Sequence, residues 1–188
     1  DVCSSDLQYV DAAPTNASAR VRGWDLAATD DEGAAFTVGV KMSRVGTAIY
    51  IEDVVRFRGT PGVVKTTLKD TARMDGYDCA IDLPQDPGQA GKSQVHAFVV
   101  DLPGYRVFWS PETGDKAARA LPLSAQCEVH NVYLVRGPWN AAYVAEASLF
   151  PGGTYKDQID ASSRTLARLV AMPDVAVLVG PEVVTSHT

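Results

Sequence analysis

Asp25, Asp86, Asp157 and Asp160 are the residues of this 188-residue chain whose type and spacing suit metal chemistry. Asp25 interrupts RGWDLAAT, an otherwise good core strand. Aspartate is a poor strand former and is costly to bury unless paired or metal-bound. From this segment alone it reads equally well as an edge-strand acid facing water or as a ligand. Asp86 opens DPGQAGKS, directly after one apolar run and before a helical one. A Walker loop requires glycine where Asp86 stands, so that backbone N–H groups can curl around phosphates. A carboxylate there would repel phosphate oxygens. A nucleotide-hydrolysing loop around Lys92 is therefore disfavoured, and Asp86 is better read as a ligand at the carboxyl end of a strand. Asp157 and Asp160 lie three apart in KDQIDA and share one face of a helix. Acids in a first helical turn also suit the helix dipole without any further role. Taken together, the four supply what a two-metal phosphodiester site needs. Such a site draws two or three carboxylates from distant segments to hold Mg2+ or Mn2+ about 4 Å apart.

The remaining polar residues are less specific. Lys92, Lys116 and Arg119 are candidates for touching a DNA backbone, although scattered cations are usually solvated surface. His96 and His130 lack metal-ligand spacing. Ser93 and Ser124 have neither a paired histidine nor a nucleophile elbow, which weighs against a hydrolase triad. Trp24, Trp109 and Trp139 are expected to be core anchors rather than base-stacking platforms.

The elements that must position these residues follow from hydrophobic period. Residues 1–19 show no sustained pattern and are expected to be a flexible lead-in. Val21–Ala27, Ala35–Met42 and Ala48–Phe57 are β-branched stretches separated by turn residues, which predicts an antiparallel meander. Alternation follows. Helices are predicted over 62–74, 91–102, 116–126 (interrupted near Pro122), 138–149 and 158–170. Strands are predicted over 79–83 (closed by Pro84), 105–109 and 132–135. Residues 173–188 read as a tail with one apolar run, Val175–Val179. Three hairpin strands followed by alternating helices and strands specify an α/β fold, a mixed sheet flanked by helices, over residues 20–172.

Composition sets the outer bounds. Apolar types make up 46% of the chain, enough for a packed core and against intrinsic disorder. The formal charge of -6 argues against binding nucleic acid by bulk charge, yet permits a carboxylate-rich metal site that meets it locally. No apolar run approaches the roughly 20 residues that span a bilayer, so no membrane partner is expected. Cys3, Cys79 and Cys127 are odd in number and contain no CxxC pair, which points to a reducing compartment and a soluble protein.

RGWDLAAT, the DPGQAGK turn, GDKAARALP, NVYLVRGPWN and FPGGTYKDQIDA occur here in the order found in phage terminase large subunits. From about Arg20 to about Leu169, the chain resembles the C-terminal nuclease domain of those DNA-packaging motors. Five motifs in register are more specific than any one of them. The resemblance implies a ribonuclease H-like fold and an endonuclease that cuts concatemeric double-stranded DNA at the start and end of packaging, using two divalent cations. It implies that Asp25 is the first-strand catalytic aspartate and bridges both cations, and that Asp86 is the acid ending the fourth strand. Asp157 belongs to the late acidic motif, with Asp160 the acid three residues on, and either is the third ligand. Two positions depart from the family pattern. Lys156 stands where the first of two adjacent aspartates is common, and Pro84 where relatives often carry a second acid. The resemblance further implies an ATPase domain in the same full-length polypeptide, a portal and a small terminase subunit as partners, and the host cytoplasm as location. Intrinsic DNA affinity should be weak, with motor and portal supplying local concentration. The competing expectation is a non-catalytic ribonuclease H-like module that binds DNA or docks on the portal.

Overall fold

The β-branched stretches carry apolar side chains on both faces, so they must be covered from both sides, and a three-layer arrangement results. Residues 7–27, 31, 33–86, 88–111 and 114–173 are described by the structure, a computed structural model. The strands are β1 (Gln8–Val10), β2 (Ala19–Asp25), β3 (Thr37–Val45), β4 (Ala48–Phe57), β5 (Cys79–Gln85), β6 (Val107–Pro111) and β7 (Val132–Val135). The helices are α1 (Pro61–Asp75), α2 (Gln89–Asp101), α3 (Lys116–Glu128), α4 (Asn140–Leu149) and α5 (Asp157–Ala171). One sheet of order β1-β7-β4-β3-β2-β5-β6 contains all seven strands.

The meander is as expected: β2 pairs with β3 and β3 with β4, both antiparallel, while β5, β6, β7 and β1 join in parallel. Every parallel strand therefore runs in the direction of β2, and their carboxyl ends share one edge with Asp25. The sheet divides between β2 and β5. Their ladder stops at Gly23 opposite Asp82, so Trp24–Asp25 and Leu83–Gln85 continue as the two prongs of a fork.

Alternation along β2 and β5 feeds two cores. Val21, Ala80, Leu123, Tyr143, Ile159 and Leu166 pack on the side of α3, α4 and α5. Trp24, Leu68, Ile81, Leu83 and Phe98 pack on the side of α1 and α2. Burying each such side chain contributes on the order of 1.5–3 kcal/mol. The α1 side also holds an ionic cluster. Arg22, 2% exposed, donates to Asp75 at 2.5 and 2.9 Å and to Asp53 at 2.8 Å. Burial alone would lower the Arg22 pKa, but Asp75 and Asp53 outweigh it and the guanidinium is held above its ordinary range.

Four expectations need correction. Residues 8–10, placed in a flexible lead-in, form β1 and pair with Tyr133–Val135 at the sheet edge. Pro84 does not close β5, which runs on to Gln85. Its missing N–H is harmless because β2 no longer pairs there. Pro122 does not interrupt α3. Ala118, whose carbonyl loses its partner, and Pro122 are both exposed, so water can replace that bond. Trp109 is no core anchor: it sits on edge strand β6, 48% exposed, whereas Trp24 is 1% exposed and Trp139 packs partly buried against the core. The tail from 174 onward, with its apolar run, lies outside the described residues.

Candidate active site

Asp25 ends β2, and odd-numbered β2 side chains point to the α3–α5 side, so its carboxylate is delivered between those helices. The approach of α5 is set by Gly23. Its N–H donates to Thr165 Oγ1 at 3.1 Å, and a Cβ on Gly23 would lie 2.3 Å from that oxygen. The first turn of α5 carries Asp157 and Asp160; the N–H groups of the two residues between them are anchored by Glu146, and the Asp160 N–H by the Lys156 carbonyl. Glu146 of α4, buried, accepts the Gln158 N–H at 2.6 Å and the Gln158 side-chain amide at 2.8 Å. A carboxylate at a helix N-terminus meets unpaired N–H groups and the positive end of the dipole, which is why α4 can fix where α5 begins.

The three carboxylates converge on one ammonium. Lys116 Nζ lies 3.4 Å from Asp25 Oδ2, 3.8 Å from Asp157 Oδ1 and 3.0 Å from Asp160 Oδ2. Asp157 is oriented from behind by the Phe36 N–H, which donates to its Oδ2 at 2.9 Å. Phe36 is itself held between the guanidinium groups of Arg56 and Arg58, 3.6 and 3.8 Å from its ring centroid. Asp160 is gripped by Arg119, with Nη2 at 2.7 and 2.8 Å from its two oxygens. Half-burial would lower the Lys116 pKa, but Asp25, Asp160 and Asp157 together hold it above the ordinary lysine range.

Asp86 is brought to the other side of Asp25. It is exposed and shares with Asp25, Pro61, Gln94 and Phe98 a cleft of about 180 Å³ that opens from the fork. The turn that carries it is tight. A Cβ on Gly91 would stand 2.1 Å from the Asp86 carbonyl oxygen, so glycine is required where the first turn of α2 folds back on the strand end. Asp25 thus faces Asp86 on one side and the Asp157–Asp160 pair on the other. Lys92 does not join this group: it is exposed and lines a separate groove with Trp109 and His96. Lys116 and Arg119 do, but as partners of the acids. Lys156 immediately precedes α5 and is half-buried, its carbonyl accepting the Asp160 N–H at 3.0 Å.

Sequence reasoning passed over Asp82, Arg164 and Arg168. Asp82 is 2% exposed under the fork, with Arg168 at 3.2 Å and Arg164 at 3.6 Å. Burial pushes its carboxyl above the usual range even though Arg168 and Arg164 pull it down. These two arginines and Arg119 line a pocket of about 370 Å³ that adjoins Asp160. The spacing Asp160, Arg164, Arg168 repeats every four residues on α5, so a single helical face was readable in advance.

A divalent cation suits this donor set. Carboxylate oxygens are the hard ligands that Mg2+ and Mn2+ take, and the convergence on an ammonium shows the position to be cation-seeking. Among the described residues, however, no group of three or more His, Cys, Asp or Glu side chains is arranged to hold a metal ion as it stands.

A mixed seven-stranded sheet with helices on both faces, and acids gathered at the carboxyl end of the strand beside its division, defines a ribonuclease H-like domain. Comparison with protein families makes the assignment specific. The chain belongs to the terminase RNaseH-like domain family, matched over residues 22–169. Solved structures agree at the level of fold. The large terminase nuclease of thermophilic phage G20c with bound magnesium superposes with a TM-score of 0.64 at 11% identity, covering 88% of this chain and 94% of that one. The human cytomegalovirus terminase nuclease domain, Mn soaked and inhibitor bound, gives 0.64 at 11% identity over 85% and 89%. The nuclease domain of the bacteriophage SPP1 large terminase, with bound Mn, gives 0.59 at 14% identity over 87% and 96%. No curated protein sequence matches the chain. Among the described residues no helix is long and apolar enough to cross a membrane.

Proposed function

We propose that this chain is the metal-dependent endonuclease domain of a viral DNA-packaging terminase, hydrolysing phosphodiesters of concatemeric double-stranded DNA with two divalent cations, Mg2+ or Mn2+. The observation that carries the reading is the convergence of Asp25, Asp157 and Asp160, from opposite ends of the sequence, on a single cationic group 3.4, 3.8 and 3.0 Å away. Like charges gathered this closely require a cation to offset them. When bound, such cations activate water for in-line attack and stabilise the leaving oxygen.

Within this reading Asp25 would be the shared ligand, since it lines the cleft with Asp86 and meets the same Lys116 ammonium as Asp157. Asp86 presents its exposed carboxylate from the far prong of the fork. Asp157, locked by the Phe36 N–H, presents the other oxygen toward Lys116, and Asp160 adds charge while Arg119 restrains it. Lys116 and Arg119, and Lys92 further off, are the proposed contacts to backbone phosphates, the first two while they also pair with the acids. The ATPase domain of the same polypeptide, the portal and the small terminase subunit complete the assembly in the host cytoplasm.

Nicking and linearisation of supercoiled plasmid in Mn2+ is the direct test. Wild-type protein should cut in Mn2+ or Mg2+ and stop in EDTA. Asp25→Asn, purified identically, should lose at least about a hundredfold in rate, the scale on which a reaction loses its main electrostatic support. Cutting by that variant at the wild-type rate removes the reading. The same convergence is compatible with the non-catalytic alternative, because an ammonium already offsets the acids there. A saturable heat on titrating Mn2+ into the protein decides between the two.

A further inference from the structure

Lys116 is the first residue of α3, the end of a helix where a positive charge is unfavourable. Its own helix therefore gives it no reason to be charged there, and the acids do. Its side chain is 38% exposed, whereas those of Asp25, Asp157 and Asp160 are 15%, 9% and 2% exposed. The ammonium thus reaches inward from the rim to a point the carboxylates face. An ammonium on a flexible four-carbon stem offers three donors and carries one charge. It can compensate several acids weakly, and it can leave without moving the backbone. Arg119 cannot act in this way, because its two-oxygen grip fixes Asp160 in one orientation.

Resting on the metal reading above, we infer that Lys116 is the resident cation of the metal-free site, and that a divalent ion enters by displacing its ammonium. One ammonium compensates all three acids from 3.0 to 3.8 Å, at the point where their carboxylates converge. Displacement leaves a tethered positive charge at the mouth of the site, where an incoming phosphodiester is the natural new partner. Metal and DNA then favour one another: each removes an obstacle to the other, and the coupling is reciprocal.

Calorimetric titration of Mn2+ into the wild type, Lys116→Gln and Lys116→Arg tests this. Lys116→Gln should bind Mn2+ about tenfold tighter than wild type, the equivalent of 1.4 kcal/mol of lost competition. In EDTA it should melt below wild type, and on saturation with Mn2+ it should gain more in Tm. Lys116→Arg, which keeps a cation at the rim, should stay close to wild type. Saturable binding of equal or lower affinity in Lys116→Gln overturns the inference and leaves the metal reading standing. No saturable heat in any of the three overturns both. A second measurement needs no variant. Acetylation of Lys116 in the wild type, followed by mass spectrometry, should be slow in EDTA and several-fold faster in Mn2+, and an unchanged rate overturns displacement.

Discussion

The N–H of Gly23 donates to Oγ1 of Thr165 at 3.1 Å, and no atom larger than hydrogen fits between that α-carbon and the hydroxyl. Two residues on from Gly23 is Asp25, and α5 carries Asp157 and Asp160 at its other end. This contact therefore sets the spacing of acids from two segments. Gly23→Ala should cost about 1–3 kcal/mol through overpacking. Thr165→Val should cost a similar ~1–3 kcal/mol by leaving the Gly23 N–H unpaired. Urea denaturation measures both. Gly23→Ala should also reduce cleavage by the folded protein more than Thr165→Val, because it forces the two elements apart.

Asp86 and Asp157 are expected to separate stability from activity. Asp86 is exposed, so Asp86→Asn should lie within about 0.5 kcal/mol of wild type in urea melts. Asp157 is buried and accepts the Phe36 N–H, so Asp157→Ala should lose about 1.5–3 kcal/mol. Asp157→Asn retains an acceptor and should lose less. Plasmid cleavage should fall in all three.

Glu146 fixes the origin of α5 without touching the acids. Its Oε1 accepts the N–H groups of Gln158 at 2.6 Å and Ile159 at 3.4 Å. Glu146→Ala leaves both without an acceptor and the Gln158 side-chain amide with only the Ala142 carbonyl, and about 3 kcal/mol of stability should go with them. Hydrogen exchange at the start of α5 should rise in step.

Burial pushes the Cys79 thiol up to about 12, with Asp75 adding to the shift. An acid whose folded pKa is raised stabilises the fold fully below its unfolded value and loses that contribution as pH rises towards the folded one. Stability should therefore be insensitive to Cys79 at neutral pH and should decline between 9.0 and about 12. Melting curves of wild type against Cys79→Ala across that range should show the variant with the flatter profile. In native protein at neutral pH a maleimide should leave Cys79 unmodified.

Much of the sheet was legible because its strands are continuous β-branched runs. The bounds of β4 and β7 were read to the residue, since turn residues flank both. β1 was not legible: three residues on an edge, two of them exposed, leave no burial pattern to read. Trp109 misled for the same reason, because an edge strand needs no second covering layer. The acids themselves could be picked out by type and position. The identity of their partner could not. Lys116 meets Asp25 across 91 residues of sequence, a pairing that exists only once α3 has packed beside α5. Lys92 was placed in the same class on charge alone, and the fold turns it towards β6.

The division of the sheet at Gly23 and Asp82 gives the two sides of Asp25 different mechanics. Towards Asp157 the distance is governed by a helix clamped on β2 and β3, with hydrogen bonds at Gly23 and Val40 as rivets. Towards Asp86 it is governed by how far two strand tips diverge beyond their last shared rung. One jaw of this vice is riveted directly to α5, and the other is held to it by Arg164, which donates to the Leu83 carbonyl and to Ser110 Oγ at 3.1 Å each. The position of Asp86 thus depends on side-chain contacts to β5 and the edge strand β6, whereas that of Asp157 depends on the helix itself.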